Sequence, residues 1–177
     1  MARARFELIG DGPERAHLGA LAAELGVADR VTFHGHVPRE TCLGLIGGAD
    51  VLVHPSLHDS GGYATLEGMA AGRPVVCLAL GGPGLQVDAE VGEAVPAETP
   101  EQVVADLSAA FARLAADPEL RAAMGARGRA RVAERYRWSA LVDDILGHYR
   151  ALAPAGTPLA EAALPAPRPA PPEAATA

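Results

Sequence analysis

His54-Pro55-Ser56-Leu57-His58-Asp59-Ser60-Gly61-Gly62-Tyr63-Ala64-Thr65-Leu66-Glu67 decides the reading of this chain. It joins an apolar run, Val51 to Val53, to a short helical segment that Gly72 and Pro74 bring to an end. Between strand and helix stand the acid Asp59 and the adjacent glycines Gly61 and Gly62, and a second acid, Glu67, follows eight positions after the first. Glycines at a strand-to-helix turn let backbone N–H groups approach a ligand closely, and the helix N-terminus behind them carries partial positive charge. Such a turn suits a phosphate or diphosphate. Flanking carboxylates suit sugar hydroxyls, which need acceptors.

The sequence on either side repeats the alternation. Phe6 to Ile9 predicts a strand, and Glu14 to Leu25 a helix with Leu18, Leu21, Ala22 and Leu25 on one face and Gly26 at its end. Val31 to Phe33 is the next strand. Arg39 to Ile46 is a short helix stopped by Gly47-Gly48, and Val75 to Leu78 is the strand after the central helix. Strand alternating with helix predicts an α/β fold, a Rossmann-like parallel sheet with helices on both faces. Ligands of such sheets bind beyond the carboxyl ends of the strands. Gly10-Asp11-Gly12, Gly35-His36, His54 to Gly62 and Gly81-Gly82 all fall there and are expected to converge on one cleft.

From Thr99 the chain turns helical. Thr99 caps a helix beginning at Pro100, and Asp117-Pro118 opens another in the same way. Arg121, Arg127, Arg129, Arg131 and Arg135 lie along that second helix, either as a solvated face or as a surface for an anionic membrane or acceptor. Trp138 to Tyr149 is a last helix. The domain is read as residues 1–152. Residues 153–177 hold seven of the 15 prolines and no apolar periodicity, so they are read as a disordered, partly polyproline II tail.

Net charge is −7, and all 15 basic residues other than His are arginines. An acidic balance argues against general nucleic-acid binding, which neutralises phosphates with basic side chains. Cys42 and Cys77, isolated from each other, make neither a zinc site nor a disulfide framework and read as two buried thiols. His54 and His58 flank the central turn, but no third ligand has suitable spacing, so no metal is expected. No run of about 20 apolar residues suggests a membrane span. The N-terminus does not read as a signal peptide, which makes the cytoplasm the default compartment, with peripheral attachment at the inner face of the membrane as a variant.

The central stretch resembles the signature of nucleotide-sugar-dependent retaining glycosyltransferases of the GT-B fold, family 4, which carry Glu, seven residues, Glu, with a glycine pair or Gly-Phe-Gly after the first acid. Asp59 stands where the first Glu is expected, and Glu67 matches the second. Phe6 to Pro13, Val31 to Val37, and Gly72-Arg73-Pro74-Val75-Val76 with Gly81-Gly82 are similar to the family's other blocks, in the same order. The resemblance implies that Glu67 accepts hydrogen bonds from the donor ribose and that Asp59 lies at the donor sugar. It implies that Gly61 and Gly62 offer their N–H groups to the diphosphate. Gly10 and Gly12 would line the cleft, His36 would touch the base, and Gly81 and Gly82 would border the sugar-phosphate pocket. It further implies no cofactor beyond the nucleotide-sugar substrate and no metal. Its N-terminal half, expected on a separate domain, would bind the acceptor, whether polysaccharide, lipid or small metabolite. That half and the upstream turn with an Arg and a Lys that neutralises the leaving diphosphate have no counterpart here, so the isolated chain is expected to be inactive.

Structural roles compete with each of these. Glu67 complements a helix dipole, Asp59 is a natural turn former before Ser-Gly, and a glycine pair makes an ordinary turn. A non-catalytic nucleotide- or sugar-binding remnant is therefore an alternative. So is another GT-B enzyme such as a nucleotide-sugar epimerase, which would need an acid/base pair in the cleft. Asp59 with His58 is a poor candidate for that pair, because sequence neighbours need not face one another.

Overall fold

The computed structural model describes residues 4–152; the proline-rich segment 153–177 lies outside the described residues. These fall into two units that divide between Arg137 and Trp138. The first holds β1 (Phe6–Ile9), α1 (Arg15–Glu24), a single 3₁₀ turn (Ala28–Arg30), β2 (Val31–Gly35), α2 (Arg39–Gly48) and β3 (Leu52–His54). It continues with α3 (Tyr63–Ala70), β4 (Val75–Leu78), α4 (Gly81–Gln86), β5 (Gly92–Val95), α5 (Pro100–Ala116) and α6 (Pro118–Arg135). The second holds one described helix, α7 (Trp138–Leu152).

Every strand pairing is parallel, as the alternation predicts, but the strands form two pieces rather than one sheet. β1 pairs β2, from Phe6 opposite Val31 to Ile9 opposite Gly35, with an irregularity between Leu8 and Ile9. β3, β4 and β5 form the other piece, with β4 in the middle. Neither β1 nor β3 carries a second strand neighbour among the described residues. Coverage differs accordingly. All four residues of β4 are buried, whereas all four of β1 are exposed, Phe6 by 46%. Phe6 still meets Phe111 of α5 edge to face, ring centroids 6.2 Å apart.

Successive side chains on a strand point to opposite faces, and β4 uses both. Val75 and Cys77 pack with Met69, Val87 and Val91, flanked by Leu52, Leu66 and Val132. Val76 points the other way, into Ala110 and Leu114 of α5 and Met124 of α6. A central strand sandwiched like this reads as a continuous apolar run, Val-Val-Cys-Leu. Full burial of a side chain the size of Met69 contributes about 1.5–3 kcal/mol.

The caps hold as read. Thr99 accepts from the Gln102 amide at 3.2 Å and Asp117 from the Leu120 amide at 2.8 Å, each ahead of a proline in the first turn. Two elements were not anticipated. Gly81-Gly82 opens the short helix α4 rather than lying in a loop, and β5 follows it. Gly47-Gly48 closes α2 from inside the helix. Cys42 is only half-buried, unlike Cys77.

The arginines of α6 are neither a uniformly solvated face nor a free cationic surface. Arg121 caps the end of α5 by donating to the Leu114 carbonyl. Arg129 donates to the Ala71 carbonyl at the end of α3, 3.0 Å away, and Arg131 is paired with Asp88 and Glu90 at 2.9 Å. Gly125 and Gly128 let α6 approach the end of α3 and the turn after it, where a Cβ at 125 would strike the Gly72 carbonyl.

Candidate functional site

The loop between β3 and α3 folds around Asp59. Its Oδ1 accepts the amides of Gly61 (3.0 Å) and Gly62 (2.8 Å), and its Oδ2 lies 2.8 Å from Nε2 of His54 on β3. The Gly62 amide foremost, then His54, holds the Asp59 carboxyl below its ordinary value. Asp59 thus fills from within the two amides that the sequence reading assigns to a diphosphate. The histidine it meets is His54, not the adjacent His58. Gly62 has φ +61, which favours glycine, and a Cβ there would displace the side-chain amide of Gln86.

With the Gly62 amide taken by Asp59 and no side chain capping α3, the first-turn amides of Tyr63, Ala64 and Thr65 are left without a partner among the described residues. Glu67 stands one turn further on, its side chain 22% exposed and 2.8 Å from Arg39, the first residue of α2. That ion pair ties the start of α2, the helix after β2, to α3, the helix after β3.

The turn after β4 closes against the same place. Gly82 donates its amide to the Asp59 carbonyl at 3.0 Å, and a Cβ on Gly82 would stand 2.5 Å from the Ser60 carbonyl oxygen. Gly81 and Gly82 therefore press backbone against backbone on the Asp59–Gly61 turn. Their role in this geometry is close approach, and the amide of Gly82 is already used.

The remaining residues read from the sequence lie at the ends of β1 and β2. Gly10 bonds its amide to the Gly35 carbonyl at 2.9 Å, and the Gly12 amide bonds Asp11 at 2.8 Å. A Cβ at Gly10 or Gly12 would meet nothing within 4 Å, which fits an open rim. His36 is exposed beside them. Among the described residues no three His, Cys, Asp or Glu side chains gather as metal ligands, and no helix is long and apolar enough to cross a membrane.

Sequence reasoning missed three members of this site: Arg39, Thr65 and Gln86. Gln86 is 9% exposed and donates from Nε2 to the Gly61 carbonyl at 2.8 Å, while its Oε1 accepts from the Thr65 hydroxyl. Its only signal was a polar residue beside the buried Val87 in a stretch read as a loop.

Parallel strands β3 and β4, whose C-terminal turns meet at a glycine-bounded helix N-terminus, define an open α/β fold of the kind that binds ligands beyond its strand ends. The family model for glycosyl transferases group 1 matches residues 2–131, and the chain belongs to that family. It is 42% identical over 139 residues to the D-inositol 3-phosphate glycosyltransferase of Acidothermus cellulolyticus, covering 78% of this chain and 29% of that protein. Sucrose-phosphate synthase from Thermosynechococcus elongatus superimposes with a TM-score of 0.68 at 32% identity, covering 82% of this chain and 38% of that one. HepE from Anabaena, solved in complex with UDP, shares the fold with a TM-score of 0.67 at 24% identity, over 84% of this chain and 41% of that one. The chain thus has the α/β architecture of GT-B glycosyltransferases and spans roughly a third of the length of these relatives.

Proposed function

We propose that this chain is the donor-binding part of a retaining glycosyltransferase, completed by a separate N-terminal domain that carries the acceptor. In the reaction the bond between sugar C1 and the diphosphate oxygen breaks. The acceptor hydroxyl forms a new bond to C1 on the same face and gives up its proton, and the nucleoside diphosphate leaves with the bonding electrons. The protein's task is then to position the donor and to stabilise the charge developing on the leaving group.

The observation that carries this reading is the N-terminus of α3, with unpaired first-turn amides including those of Tyr63 and Ala64 and a carboxylate, Glu67, one turn away. The helix end suits the diphosphate. Glu67 suits the ribose hydroxyls once Arg39 lets it go. Asp59, held by His54 and the glycine amides, fixes the turn that in this reading lies at the donor sugar. The UDP complex of the structurally similar HepE supports a nucleoside diphosphate as the ligand class. The isolated chain is expected to bind nucleotide weakly and to transfer nothing.

Calorimetric titration with UDP, GDP and ADP, on this chain and on Glu67→Ala, tests the assignment. Binding of one nucleotide, lost in the variant, is the expected result and identifies the base. Binding that survives Glu67→Ala unchanged removes Glu67 from the donor site. No binding at all, even with an N-terminal domain supplied, makes the chain a non-catalytic remnant.

A further inference from the structure

Gln86 lies behind the turn that the proposed site depends on, and nothing in the transfer chemistry calls for it. It ends α4, on the segment after β4, yet its side chain reaches across to the segment after β3. Three polar groups meet there, two of them on buried residues: the Gly61 carbonyl, the Thr65 hydroxyl and the Gln86 amide. Thr65 is fully buried, and its hydroxyl also stands 2.6 Å from the Gly62 carbonyl. The Gly61 carbonyl needs a donor and the hydroxyl finds an acceptor. A primary amide supplies both from one planar group.

The far side of Gln86 is fixed as well. Its own carbonyl accepts from Arg131 at 3.2 Å, and Arg131 is anchored on Asp88 and Glu90. A line of hydrogen bonds therefore runs from α6 through Gln86 to the Gly61–Gly62 turn. Gly62 in turn sets the direction of the first amides of α3.

We infer that Gln86 is a positioning residue: it clamps the Gly61–Gly62 turn from the neighbouring strand's loop and so aims the α3 N-terminus at the donor diphosphate. The inference rests on the donor-site reading above. Gln86 touches no substrate. It acts through the carbonyl of Gly61 and the hydroxyl of Thr65.

Three proteins test it: the wild type, Gln86→Met and Gln86→Glu. Methionine keeps the volume and loses both hydrogen bonds. Ionised glutamate keeps an acceptor, loses the donor and faces the Gly61 carbonyl with like partial charge; protonated glutamate restores both. The first readout is amide hydrogen exchange, which needs no nucleotide. In Gln86→Met the amides of Gly61 and Gly62, held by Asp59, and of Leu66, bonded to the Gly62 carbonyl, are expected to exchange about tenfold faster, the effect of about one hydrogen bond, while the core amides of β4 keep their protection. The second is ligand-observed NMR titration with UDP and uridine, GDP and guanosine, ADP and adenosine. In Gln86→Met the nucleoside diphosphate is expected to bind about tenfold more weakly and the matching nucleoside unchanged. Gln86→Glu is expected to behave like Gln86→Met at pH 8 and like the wild type at pH 5, each value referred to the wild type at the same pH.

Equal loss for nucleoside and nucleoside diphosphate, or exchange in the turn no faster than wild type, overturns the inference. If Gln86→Met does not fold, the acid recovery of Gln86→Glu carries the decision, and its absence overturns the inference too. If the wild type binds no nucleotide, the donor-site reading falls and takes the diphosphate role with it. A selective change in turn exchange would then remain as evidence of the clamp alone, which separates the two failures.

Discussion

Oδ2 of Asp59 lies 2.8 Å from Nε2 of His54, and this contact turns the carboxylate inward, over the two amides of its own turn. The Gly62 amide first, and His54 next, lower the Asp59 carboxyl below its ordinary value. A carboxyl depressed on folding adds stability above its unfolded value, near 4, and that stability is lost as pH falls through the lower folded value. Thermal melts of the wild type and Asp59→Asn are expected to differ steadily from pH 7 to 5, with the wild type higher. The gap should close below about pH 4. Asp88, lowered chiefly by Arg131, titrates in both proteins and cancels from the difference. A gap that is constant down to pH 3 would show that the Asp59 charge does not hold the turn.

Gly82 approaches the Ser60 carbonyl so closely that an added methyl would stand 2.5 Å from the oxygen, whereas Gly12 has no neighbour within 4 Å of such a methyl. Backbone cannot give way as a side-chain tip does. Gly82→Ala is expected to destabilise the chain by about 1–3 kcal/mol and to weaken nucleotide binding with it. Gly12→Ala is expected to stay within about 0.5 kcal/mol. Urea unfolding of both variants measures this, and similar midpoints for the two would refute the close approach.

Arg39 and Glu67 form an ion pair in which Arg39 is 75% exposed, so its loss should cost the fold about 0–1 kcal/mol. Its effect on binding should be of the same size as its effect on folding and opposite in sign. A carboxylate already holding a guanidinium must release it to accept two ribose hydroxyls. Arg39→Ala is expected to leave the melting temperature near wild type and to tighten nucleoside binding about threefold, within the energy of an exposed pair. Weaker binding in Arg39→Ala would mean that Arg39 contacts the ligand itself.

The sequence shows the strands and long helices because each is bounded by an unambiguous local signal. Val75 to Leu78 is a dense apolar run, and Thr99-Pro100 and Asp117-Pro118 carry their own caps. α4 was hidden because Gly-Gly-Pro-Gly has poor helix propensity. It forms where the approach to Asp59 and Ser60 demands glycine. β5 was hidden because Gly92-Glu93-Ala94-Val95 begins on a glycine and carries a charge where β4 shows an apolar run. The sheet's division into two pieces left no local trace, because strand order is a long-range property. In the site, residue spacing marked Asp59, Gly61, Gly62 and Glu67 as a group. The inward turn of Asp59 depends on how its loop folds back on His54 of β3, and the reach of Gln86 on where β4 places its following helix, neither of which spacing encodes.

The two cysteines should separate cleanly by chemistry. Cys77 is fully buried in the middle of β4 against Met69 and Val91, and burial pushes its thiol up to about 11. The thiolate is the reacting form, so at pH 8 Cys77 is short of both access and charge. Cys42 is half-buried on α2, outside the β4 core. Iodoacetamide at pH 8 is expected to label Cys42 in the folded chain and both cysteines in urea, with peptide mass spectrometry assigning the site. Cys77 should become labelled at the urea concentration where the β4 core opens, so its labelling midpoint should coincide with the loss of helical signal. Cys77 labelled in the absence of denaturant, at a rate near that of Cys42, would mean that β4 opens independently of global unfolding and that the platform under the proposed donor site is not rigid.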